Sequence, residues 1–130
     1  MRRGTVIILL LLALAASMGC SIGTNITPGG NTPVAKTWQQ VIEFTGSSMK
    51  TTQKFSIGSN EWRIRWTTTP GANGDGNFVI YVYAGNGDMV DVAANIIGKG
   101  ADTSYVYAGG EYYLTILSDQ NYDIVIEQNK

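Results

Sequence analysis

An all-β fold, an antiparallel β-sandwich of about eight short strands, follows from three features of the sequence. Residues 37–130 break into short runs rich in Val, Ile, Thr, Tyr and Trp, separated by Gly, Asn and Asp. Several runs alternate apolar and polar residues with the period of two that lays one face of a strand against a core. No window sustains the apolar spacing of a helix. The chain has 130 residues, enough for one ordinary domain and too few for a multidomain enzyme.

The candidate strands are 38–45, 52–57, 61–67, 78–84, 89–97, 104–107, 112–117 and 122–127. In EWRIRW, Trp62, Ile64 and Trp66 share one face, and Glu61, Arg63 and Arg65 the other. In FVIYVY, Phe78, Ile80 and Val82 oppose Val79, Tyr81 and Tyr83, so neither face is polar and the strand reads as central. In YDIVIE, Tyr122, Ile124 and Ile126 oppose Asp123, Val125 and Glu127. The run MVDVAANII at 89–97 is the one segment that also fits a helical turn. Asn86-Gly87 signals a hairpin, because both residue types tolerate positive φ. GANGDGN at 71–77 is a longer loop. Gly109-Gly110 is a turn before Tyr112 rather than a phosphate cradle, since no helix and no Lys-Ser/Thr follow.

The first nineteen residues read as an export signal. Arg2 and Arg3 precede an apolar run from Val6 to Ala16 that is too short to span a bilayer, followed by the small residues Ser17 and Gly19. Cys20, the only cysteine, comes next. Residues 21–36 (SIGTNITPGGNTPVAK) carry no apolar periodicity and, with Cys20, read as a flexible tether. Removal of residues 1–19 leaves seven Lys and Arg against ten Asp and Glu, a net charge of −3.

Gly19-Cys20 after the apolar run resembles the lipobox of prokaryotic lipoproteins, although Ser17 and Met18 stand where Leu and a smaller or β-branched residue are usual. The resemblance implies that Cys20 is lipidated, becomes the mature N-terminus and anchors the chain outside the cytoplasm. Trp38, EWRIRW at 61–66, GGEYYLTI at 109–116 and YDIVIEQ at 122–128 extend the likeness. Together they resemble small prokaryotic lipoproteins whose mature part is a jelly-roll or CUB-like β-sandwich. The last two runs also look like the end of secreted pre-peptidase-type sandwiches. The resemblance implies a fold and brings no agreed activity.

Composition narrows the chemistry. With no His and no cysteine after Cys20, the usual acid/base switch, zinc clusters and an internal disulfide are all excluded from the mature domain. No Ser lies in a Gly-x-Ser-x-Gly elbow, and Glu43, Glu61, Glu111 and Glu127 fall on separate strands, so the expectation is a protein that is not an enzyme. A formal net charge of −1 for the whole chain leaves no basic surplus for a phosphate backbone, which argues against nucleic acid. Asn73, Asp75 and Asn77, spaced two apart in the Gly-rich loop, could aim oxygens at Ca²⁺ with help from Asp88, Asp91 or Asp102, or simply form a solvated turn. No other cofactor is expected.

All thirteen aromatic residues lie after residue 37. Trp62 and Trp66, flanked by Arg63 and Arg65, could stack on sugar rings, but Ile64 between them on the same face favours the core. Tyr81, Tyr83, Tyr105 and Tyr107 are the candidates for an exposed aromatic stripe, or for cross-strand pairs that only stabilise the sheets. The expected function is therefore a membrane-anchored binding or interaction module of the cell envelope, with an envelope protein or glycan as partner. The alternatives are a carbohydrate-binding module and a structural, self-associating envelope component.

Overall fold

The computed structural model describes residues 35–130; the expected export signal, Cys20 and the expected tether up to residue 34 lie outside the described residues. The described chain contains nine strands and no helix. They are β1 (Trp38–Gly46), β2 (Lys50–Thr51), β3 (Phe55–Ile57), β4 (Trp62–Thr69), β5 (Asn77–Ala84), β6 (Met89–Ile97), β7 (Gly100–Val106), β8 (Gly110–Ser118) and β9 (Asn121–Asn129).

Two antiparallel sheets form. Sheet A has the order β1-β9-β4-β7; sheet B has β2-β8-β5-β6, with β3 also on β8. The pairing is nested. β1 pairs with β9, β2 and β3 with β8, β4 with β7, and β5 with β6, as though one long hairpin had been rolled into two layers. That is the connectivity of a jelly roll, and it bears out the expected all-β sandwich.

Alternation places the core where the sequence puts it. Trp62, Ile64 and Trp66 of β4 face Phe78, Ile80 and Val82 of β5 across the sandwich, with Leu114 and Ile116 from β8 and Ile124 and Ile126 from β9; all are buried. Aromatic rings cluster toward both ends of this layer, with Trp62 centred 5.5 Å from Phe55 and 4.8 Å from Tyr112 at one of them. Trp66 lies 5.3 Å from Phe78.

Two elements depart from expectation, and a third, 89–97, forms the expected strand but without clean alternation. The run 52–57 is not one strand: Thr52 interrupts it, because its Oγ1 accepts from Leu114 N at 3.0 Å and so replaces a backbone carbonyl in the ladder. Strand β7 begins at Gly100 rather than 104. As an edge strand it buries only Val106, so its polar first half shows little alternation. Residues 89–97 are a strand, not a helical turn. Irregular register near Tyr81 and Tyr83 puts Ala93 and Ala94 side by side in the core, which erases the period of two.

The Asn86-Gly87 turn forms as expected, with Gly87 at φ 98° and Asn86 Oδ1 accepting from Asp88 N at 3.0 Å. At the opposite end of the sandwich the loops meet on one buried side chain, Gln120. Its Nε2 donates to Thr68 Oγ1 at 3.1 Å and to Gly98 O at 2.9 Å, while Oε1 accepts from Gly76 N at 3.0 Å. Gly76 must be glycine for this: a Cβ there would stand 2.8 Å from Asp119 Cβ.

The β6 side of the sandwich is closed by side chains. Trp66 Nε1 and Ser104 Oγ, both from sheet A, donate to the carbonyl of Ala93 on β6 at 3.1 and 2.9 Å.

Candidate functional site

The two outer faces differ in chemistry. On sheet A, the central strands β4 and β9 present Arg63, Arg65, Asp123 and Glu127. On sheet B, the central strands β5 and β8 present Val79, Tyr81, Tyr83, Tyr113, Thr115 and Leu117, and their one charge is Glu111 at the end, 3.8 Å from Lys54.

A bulge builds the sheet A site. Strict alternation along β1 would put Trp38 on the face of Ile42 and Phe44. The register instead shifts between Gln40 and Ile42, so that Trp38 pairs with Asn129 and Gln40 with Glu127, on the outer face. Trp38 lies half-buried there, with the Arg63 guanidinium 4.1 Å from its ring centroid. Tyr105 follows at 5.9 Å from Trp38, and Tyr107 at 6.4 Å from Tyr105 with its ring nearly parallel. Tyr105 and Tyr107 are 43% and 72% exposed.

Beneath the rings the charges are fixed. Arg63 Nε donates to Glu127 Oε1 at 2.6 Å, and Arg65 donates to both Glu127 oxygens at 2.9 and 3.3 Å. Partial burial works to raise the Glu127 pKa, but the hydrogen bonds from Arg65 and Arg63 outweigh it and hold the carboxyl below the ordinary range. Stability from this network is present at neutral pH and lost as the pH falls through that depressed value. Glu43, on β1, moves the other way: a hydrogen bond to Asp123 and the repulsion of that carboxylate raise its pKa. We expect Glu127→Gln to flatten the loss of stability as the pH falls through and below the ordinary carboxylate range, measured as unfolding midpoint against pH. A slope identical to the parent's would refute the assignment. Beside this network runs a shallow groove of about 400 Å³, lined by Arg65, Thr67, Ala101, Thr103, Asp123 and Val125.

Trp62 and Trp66 lie in the core, as Ile64 between them favoured, and the structure excludes them as a sugar platform. Trp62 is fully buried and Trp66 is 5% exposed, so neither ring reaches solvent. The four tyrosines do not form one stripe: Tyr81 and Tyr83 lie on sheet B, Tyr105 on sheet A and Tyr107 just past the end of β7. Tyr83 is stacked on Tyr113 at 5.2 Å and 12°, which turns their ring faces toward each other. Asn73, Asp75 and Asn77 are exposed in or beside the 71–76 loop, whose ends close through Gly71 and Gly74. Asp88 and Asp91 lie toward the far end of the sandwich, out of their reach. Among the described residues no three His, Cys, Asp or Glu gather as a metal-holding group. The site residue that alternation misses is Trp38, which a bulge turns outward, whereas Arg63 lies on the outer face that alternation gives it.

No protein-family model matches the chain, and no curated protein matches it in sequence. Among solved structures, it is similar to one described under "Bacillus endospore appendages form a novel family of disulfide-linked pili". The two share 16% identity at a TM-score of 0.48, over 82% of this chain and 98% of that one.

Proposed function

We propose that this protein is a non-catalytic glycan-binding lipoprotein of the cell envelope. Lipid on Cys20 holds it at the membrane, residues 20–36 space it from the headgroups, and the face of sheet A binds an envelope polysaccharide. The observation that carries the reading is the Trp38–Tyr105–Tyr107 series beside the fixed Arg63–Glu127 pair. A sugar ring has an apolar C–H face that packs on an aromatic ring and a hydroxyl edge that needs charged or amide partners. Gln40, Asn129 and Glu61 supply further polar groups at the same corner. The Tyr83–Tyr113 pair of sheet B is a poorer platform, because it has neither a tryptophan nor an arginine beside it.

Trp38 is the only one of the three tryptophans outside the core, so tryptophan emission reports on the site directly. Titration of the mature chain with soluble peptidoglycan fragments and other envelope polysaccharides is expected to shift that emission for at least one of them. Tyr107→Ala is expected to weaken binding at least about tenfold, roughly 1.4 kcal/mol, with an unchanged melting curve. Failure of every polysaccharide to move the signal, or a Tyr107→Ala protein that binds like the parent, would overturn the site. Protein extracted from membranes is expected to begin at an acylated Cys20.

A further inference from the structure

We infer that the outer face of sheet B pairs with the same face of a second copy of this chain. This surface is separate from the sheet A site, so neither reading depends on the other.

The observations are compositional and geometric. Central strands β5 and β8 together place Val79, Tyr81, Tyr83, Tyr113, Thr115 and Leu117 at partial exposure, with no charge above Glu111. Neighbouring β6 extends the surface with Met89 and Val92, 59% and 43% exposed. Tyrosine and methionine are enriched in interfaces, and a contiguous uncharged surface on an otherwise charged domain marks a contact region.

Charge selects the occupant. The mature chain has a net charge of −3, so two copies repel at a distance, and contact costs least through the face that carries the fewest charges. The sheet B face brings together two surfaces whose only charges on the central strands and their flank, Glu111 and Lys54, pair with each other at one end, in the self-complementary arrangement of a two-fold dimer. Area sets the strength. Four strand widths of about 4.8 Å and some eight residues at about 3.3 Å give a face on the order of 500 Å². A pair would bury roughly 1,000 Å² in total, the lower limit for a specific interface, so the dimer is weak and concentration-dependent.

The test is sedimentation equilibrium of the mature chain, residues 20–130 with Cys20→Ser, from about 5 µM to 1 mM, a range that brackets a weak interface. A reversible monomer–dimer equilibrium is expected. Thr115→Lys, at the centre of the face, is expected to weaken it at least about tenfold, and Val92→Lys at the rim should act in the same direction. Thr103→Lys, on the outer face of sheet A, should leave it unchanged. A strict monomer throughout the range overturns the inference and points to a different occupant for the face. Dimers that ignore both Thr115→Lys and Val92→Lys, or that are lost equally in Thr103→Lys, overturn it as well.

Discussion

Gln120→Ala is expected to remove about 3 kcal/mol of stability and to lower the unfolding midpoint by roughly 12–24 °C. The side chain is fully buried and holds Thr68, Gly76 and Gly98 through three hydrogen bonds. Its amide orientation is fixed, because Thr68 Oγ1 already donates to Asn121 O at 2.7 Å and can only accept from Gln120. Alanine would leave the Gly76 N–H and the Gly98 carbonyl without their partner, as well as opening a cavity. Gln120→Glu separates the two effects. The shape is kept, but a carboxylate would face the Gly98 carbonyl and the Thr68 oxygen, and burial would raise its pKa. The variant should therefore be closest to the parent at acid pH, below the ordinary carboxylate range, and lose stability as the pH rises. Thermal melts across pH distinguish the two cases, and a Gln120→Glu protein as stable as the parent at neutral pH would refute the hub.

The second large effect concerns the Ala93 carbonyl. Trp66→Ala should cost about 3–5 kcal/mol from lost burial alone. Trp66→Phe and Ser104→Ala each leave the carbonyl one donor, so each should be mild, about 1 kcal/mol apart from the ring volume. The double variant leaves it none. Its loss should exceed the sum of the singles in a double-mutant cycle, and it should aggregate at lower concentration, because β6 is an edge strand whose exposed acceptor can recruit another chain. Simple additivity would mean that the two donors do not act on one acceptor.

Much of the fold was readable because burial follows parity. EWRIRW, FVIYVY and YDIVIE each bury the residues that alternation selects, and these three strands carry most of the core. Pairing was not readable, since β1 meets β9 and β4 meets β7 across long stretches of chain and local pattern says nothing of distant partners. The site was lost for a sharper reason. Residues 38, 40, 42 and 44 have one parity, so Trp38 reads as a core residue beside Phe44. One extra residue at Val41 reverses it and turns Trp38 outward. Trp62 and Trp66, which have no bulge, went where parity sent them.

The nested pairing also sets a schedule. In sheet A, β9 lies between β1 and β4, and Thr37 and Lys130 exchange backbone hydrogen bonds at 3.3 and 3.0 Å. A chain emerging N-terminus first therefore holds two strands of that sheet waiting for a third that is ninth in order. Sheet A cannot be completed until the final strand has arrived, so the domain has no stable half-folded stop along the way and contacts of long sequence separation govern its folding rate. Such a domain stays open until β9 has arrived, and then closes in one cooperative step that joins β1 to β9.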